Sequence, residues 1–125
     1  MAKYVDGFVL TVPKKNMPAY KKMALEGGGV WKKFGALDFK ECVIDDEKPR
    51  GVVRTFRKLT GAKRSETILF SFVTYRSRKE RDKVKAKVFA YYDEKFQKMK
   101  KPFKMPFAMD RMSFAGFKTI VDMSD

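Results

Sequence analysis

Asp6 is the first residue whose setting suggests chemistry. It shares one parity of a strand with Tyr4, Phe8, Leu10 and Val12, and a carboxylate among such neighbours is costly unless it is paired or hydrogen-bonded. Groups held this way often have displaced pKa values and serve as bases or ligand anchors. A general base or anchor at Asp6 would have Tyr4, Cys42, Tyr75 and Phe114 nearby, with Arg111 holding an anionic group through charge-assisted bonds. The plainer alternative is a strand-end carboxylate that meets solvent or pairs with Lys or Arg, and Arg111 has Asp110 beside it for the same purpose.

Other chemistries are excluded or weakened by residue type. The chain contains no histidine, which removes His-dependent triads, His-ligated haem and most catalytic zinc sites. Cys42 therefore lacks a partner that would activate it, and a lone strand cysteine reads as core. Asp45, Asp46 and Glu47 offer hard oxygen ligands, but they precede Lys48-Pro49 and no second acidic cluster stands at ligand spacing, so a solvated turn is expected and no metal. Gly27-Gly28-Gly29 lies inside a helical stripe and not between a strand and a helix start. It is no dinucleotide fingerprint, and no cofactor is expected.

The charge is the unusual total: 29 Lys and Arg against 15 Asp and Glu, a net +14. Two stretches concentrate it. One spans 48–64 and includes Arg54, Arg57 and Lys58. In the other, Lys79, Lys83 and Lys87 recur four apart and build one positive ridge on a helix. A polyanion or nucleic acid could use such a footprint. The aromatic rings that would stack on exposed bases fall on faces expected to be buried, which favours a solvated basic face.

Positioning these groups requires a sheet and two helices. Residues 67–75, TILFSFVTY, are mostly apolar on both parities, the mark of a strand covered on both faces. Ser77-Arg78-Lys79-Glu80 follows as a capping box and opens a helix through Val84 and Val88 that Pro102 must stop. Residues 4–13 read as the first strand, ended by Pro13. Asn16 is the expected N-cap of a first helix with Pro18 in its first turn and Gly35 as its stop. Each glycine of the triplet costs that helix about 1 kcal/mol against alanine, so it kinks there or something approaches too closely for a Cβ. A second, more polar strand at 37–45 belongs on the outside of the sheet. Residues 46–66 form a long basic connection, in which 52–56 could add an edge strand. Residues 101–109 read as a packed loop and 111–123 as the last strand.

The order β-α-β-β-α-β is the split-βαβ, ferredoxin-like pattern of the α+β class: a four-stranded antiparallel sheet with two helices on one face. One domain over 1–125 suits the length. The opposite face would carry bulky apolar side chains, which a two-fold homodimer stacking sheet on sheet would cover. A single cysteine allows no internal disulfide and points to the cytosol. The first residues lack the features of a leader, and no apolar run approaches the ~20 residues that span a bilayer, so no membrane association is expected.

The chain resembles the YbaA-like family of domains of unknown function in the dimeric α/β-barrel superfamily. The matching stretches are YVDGFV at 4–9, VPKKN at 12–16, VWKKFGAL at 30–37, ECVIDD at 41–46, FSFVTYRSRKERDKV at 70–84, KMPF at 104–107 and GFKTIVD at 116–122. The resemblance implies a ferredoxin-like protomer and a homodimer forming an α/β barrel. By superfamily analogy it implies a small-molecule pocket between sheet and helices, in the manner of cofactor-independent monooxygenases or isomerases. The glycine triplet and the strong positive charge depart from the family pattern. The other reading of the whole chain is a non-enzymatic binding module for polyanions.

Overall fold

A computed structural model describes residues 3–124. Its sheet comprises β1 (Tyr4–Pro13), β2 (Asp38–Val43), β3 (Glu66–Tyr75) and β4 (Ser113–Lys118) in the order β2-β3-β1-β4, with every neighbouring pair antiparallel. Helices α1 (Met17–Lys33) and α3 (Arg78–Gln97) pack on one face, and a short helix α2 (Phe56–Thr60) interrupts the long connection. The topology is the expected split βαβ, with the more polar β2 at an edge.

Strand alternation assigns the faces. Tyr4, Asp6, Phe8, Leu10 and Val12 of β1 look toward the helices, as do Leu69, Ser71, Val73 and Tyr75 of β3. Two apolar clusters result. Tyr4, Val73 and Tyr75 pack with Val30, Val84 and Val88, while Leu10, Val12 and Leu69 pack with Tyr20. On the far face, Thr11 and Ile68 stand opposite each other and are buried. The connection between β2 and β3 folds over them, so that Phe56, Ile68, Phe70 and Cys42 line one small hollow. The remainder of this face is open: Phe70 is 48% and Phe117 57% exposed.

Local signals explain most boundaries. Ser77 Oγ accepts the Glu80 amide at 3.1 Å and starts α3; Gly35, with φ +121°, ends the turn after α1. Asn16 does precede α1, but its side chain makes no cap. Its Nδ2 instead donates to Pro106 O at 3.0 Å and ties α1 to the loop before β4. The glycine triplet is settled by Gly28, where a Cβ would fall 2.8 Å from Phe39 Cδ1. The helix runs through the triplet and β2 approaches it.

Three expectations about extent are corrected. Residues 52–56 are not a strand: Thr55 Oγ1 accepts the Lys58 amide at 3.1 Å and caps α2, which Gly61 ends at φ +68°. The last strand is shorter than 111–123. It pairs with β1, whose first residue Tyr4 stands opposite Lys118, and the final bond is Thr119 N to Lys3 O at 3.0 Å; beyond it there is no partner strand among the described residues. In the loop of residues 101–109, Pro106 is buried, but Phe103 is exposed.

Candidate functional site

The structure brings Tyr4, Asp6 and Tyr75 together and adds Arg81. Asp6 is fully buried. Tyr75 Oη donates to Asp6 Oδ2 at 2.8 Å, the Arg81 guanidinium stands 3.9 Å from Asp6 Oδ1, and Arg81 Nη2 donates to Tyr4 Oη at 3.0 Å. Arg81 also lies over the Tyr4 ring, 5.0 Å from its centroid, and 3.3 Å from Asp82. The register places Gly116 opposite Asp6, where a Cβ would strike Tyr4 Oη and fall 2.6 Å from Arg81 Nη2. Burial, then the hydrogen bond to Asp6, pushes the Tyr75 phenol far above its ordinary pKa. A phenol so held donates and does not ionise. Asp6 Oδ1 and Arg81 Nε lack a geometrically sound hydrogen-bond partner among the described residues. The cluster is sealed between sheet and α3.

The remaining pocket candidates lie elsewhere. Cys42 is exposed and points to the opposite face. Phe114 stacks on Phe8 with centroids 5.6 Å apart, beneath the Lys85 ammonium. Arg111 is engaged by Glu66 Oε2 at 2.6 Å and Gly61 O at 3.1 Å. The Lys63 amide and then Arg111 hold Glu66 below the usual carboxylate range. Asp46 accepts the Lys48 amide at 3.3 Å in the acidic turn. Among the polyanion candidates, Arg57 is engaged: it grips Glu47 at 2.8 and 2.9 Å and donates to Lys63 O. Arg54, Lys58, Lys79, Lys83 and Lys87 are exposed and outside the ion pairs of the described residues.

A cavity of about 1140 Å³ opens between the helix face of the sheet, α1, α3 and the segment that follows α3. Phe8, Leu10, Phe39 and Val73 form its apolar floor, with Trp31 and Tyr92 in its walls. One polar cluster stands in this floor. Glu41 Oε1 accepts Tyr20 Oη at 2.8 Å and, at very short range, Ser71 Oγ. Tyr20 and Ser71 are buried while Glu41 stays accessible. Burial, followed by the charge of Glu41, drives the Tyr20 phenol far above its ordinary pKa, so it too is a fixed donor. Both hydroxyls converge on Oε1 of this cavity-lining carboxylate, which leaves Oε2 without a side-chain donor among the described residues.

Neither Glu41 nor Arg81 stood out in the sequence, though both carried a signal. Glu41 shares a strand parity with Phe39 and Val43, as Asp6 does with Phe8 and Leu10. Arg81 sits in the helical stripe of Val84 and Val88, where an inward cation implies a carboxylate on the sheet.

Fold and cavity together define an α+β protein of ferredoxin-like architecture with a large, mostly apolar pocket on its helix side. No helix among the described residues is long and apolar enough to cross a membrane. The family described as "Protein of unknown function (DUF1428)" matches residues 3–109. The uncharacterized protein YbaA of Escherichia coli strain K12 is 38% identical over 120 residues, 96% of this chain and 98% of that one. YbaA of Shigella flexneri matches to the same extent. A dimeric ferredoxin-like protein from an uncultured marine organism, known from its crystal structure, superposes with a TM-score of 0.52 at 11% identity. That likeness covers 97% of this chain and 99% of the other, and at such identity it shows the fold alone. The chain belongs to the DUF1428 family.

Proposed function

We propose that this protein binds a small, largely apolar molecule in the cavity between its sheet and helices, with Glu41 as the polar point that orients it. The observation that carries this reading is the Glu41–Tyr20–Ser71 cluster in an otherwise apolar floor. A mostly apolar lining with few convergent polar groups is typical of small-molecule pockets. Cofactor-independent chemistry on the bound molecule, of the monooxygenase or isomerase kind, would use Glu41 Oε2 as the acceptor of its proton.

In this reading the protein is a homodimer that stacks the open sheet faces. Phe70 and Phe117 supply the apolar surface that a self-complementary contact would cover, and the structurally similar marine protein is described as dimeric. The exposed free Cys42 fits a reducing cytoplasm.

Native mass spectrometry of the purified protein tests both parts. A dimer that carries a defined extra mass is the expected result, and Phe117→Glu should release monomers. Uptake of Nile red, an uncharged dye, tests the cavity independently. A Cβ at Gly27 meets only Tyr92 Oη, at 3.6 Å, so Gly27→Phe should fold and narrow the cavity, lowering dye affinity roughly fivefold or more. Absence of both a retained mass and dye uptake would refute the reading.

A second reading has one observation behind it, the exposed and unpaired ridge of Lys79, Lys83 and Lys87. Binding of a DNA duplex that falls steeply with salt and is lost on Lys83→Glu would support it.

A further inference from the structure

The lining of the cavity is uneven in two ways. Met23, Met99, Met105, Met109 and Met112, five of the eight methionines in the chain, converge on it. Such side chains are unbranched and polarizable, and adapt to apolar ligands of differing shape. The charged groups are also divided. Glu41 is held on the sheet side by the buried Tyr20 and Ser71, whereas Lys100 and Lys101 line the cavity from the exposed segment after α3. Lys95 is tied to Glu26 and Lys98 to Glu94. Lys100 and Lys101 join no ion pair among the described residues, and Asp93 is the one other unpaired acid of the wall.

We propose that the ligand is an anionic amphiphile: an organic acid with an alkyl or aryl body that enters body first and leaves its acid at Lys100 and Lys101. This rests on the reading of the cavity as a small-molecule site and specifies its ligand class. The carboxylate of Glu41 repels an acid from the sheet side, while the two free ammonium groups receive it at the mouth through charge-assisted bonds. The apolar body then lies among the methionines, and each methylene removed from water raises affinity roughly fourfold. The net charge of +14 draws anions toward the protein at long range.

Trp31 is the single tryptophan and lines the cavity, so its fluorescence reports occupancy in the full chain. The probes are dodecanoate, dodecanol and dodecylamine, each below its micelle concentration. Dodecanoate should bind about tenfold more tightly than dodecanol. The exposed-site double variant Lys100→Glu/Lys101→Glu should abolish that preference and leave dodecanol binding unchanged. Equal affinity for acid and alcohol would overturn the proposal, as would tightest binding of the amine, which would make Glu41 the selector. A preference for acid that survives the double variant would also overturn it, because the acid would then sit elsewhere. Co-sedimentation with phosphatidylglycerol vesicles without a Trp31 response to monomeric dodecanoate would assign the lysines to a lipid surface instead. If no probe binds, the ligand class is wrong, and Nile red uptake reports separately on whether the cavity is a site.

Discussion

Asp6 with Tyr75 and Glu41 with Tyr20 are the same chemical pair made twice on the helix side of the sheet, once between two strands and once between β2 and α1. In each, a tyrosine hydroxyl donates to a carboxylate oxygen at 2.8 Å. Asp6 sits on the inner strand β1, fully buried, with a guanidinium from α3 above it. Glu41 sits on the edge strand β2, stays accessible and lines the cavity. The sealed pair belongs to stability, because a buried charge must be matched inside the protein. The open pair leaves Glu41 Oε2 without a side-chain donor among the described residues, which is the atom the proposed ligand would meet. Residue type alone does not separate these roles; access does.

The sharpest way to break this comparison is to remove each carboxylate and measure stability by urea denaturation. Asp6→Ala strands the buried Tyr75 Oη and removes the buried carboxylate beside the Arg81 guanidinium, which keeps only the exposed Asp82, and this should cost about 3 kcal/mol. A loss below ~1 kcal/mol would mean that the sealed pair is not structural. Asp6→Asn should fold and still take up Nile red. Loss of uptake in that stably folded variant would return the candidate site to Asp6.

The wall between the two regions is tested next. Gly28→Leu forces Phe39 of β2 away from α1 and should destabilise by about 2 kcal/mol. Gly29→Ala, with nothing within 4 Å of its Cβ, should stabilise by about 1 kcal/mol through helix propensity alone. Equal effects at the two positions would show that the triplet serves flexibility and not close approach.

Glu41→Ala should cost about 1 kcal/mol, since the freed hydroxyls can turn to water in the open cavity. A cost as large as that of Asp6→Ala would erase the distinction between the pairs.

Glu66 supplies the smallest effect and a third kind of carboxylate. Its pKa lies below the ordinary glutamate value, held down by the Lys63 amide and Arg111. The folded state therefore binds this proton less readily than the unfolded chain. The stabilisation is fully present above the unfolded pKa of about 4.3 and is lost as pH falls through the lower folded value. Glu66→Gln should lower the thermal midpoint at pH 7, and the gap to the unaltered protein should shrink at pH 3.5. A gap independent of pH would remove ionisation as its cause.

Much of the fold was legible because it depends on periodicity and local chemistry. Alternating residues placed Tyr4, Asp6 and Leu10 on one face, and Ser77 with Glu80 marked the start of α3. What depends on a partner was not legible. Asn16 bonds to Pro106, 90 positions away, and the last strand stops where Tyr4 ends its pairing. Thr55 and Gly61 did bracket α2, but the β-branched residues between 52 and 55 read as a strand. Of the residues singled out in the sequence, Asp6, Tyr4 and Tyr75 do lie together, but sealed, and the open carboxylate was not among them. Alternation flagged both acids equally, and burial in the folded chain distinguished them.

By itself, the sequence determined which side chains share a face, where the two long helices begin, and that the chain carries a large positive charge without histidine. These follow from covalent order, because backbone geometry repeats every two or 3.6 residues. Only the tertiary structure decided that Arg81 closes over Asp6, that Gly28 admits Phe39, and that Glu41 faces a cavity. Those outcomes depend on how the helices pack over the sheet, which is set jointly by side chains that are remote in sequence.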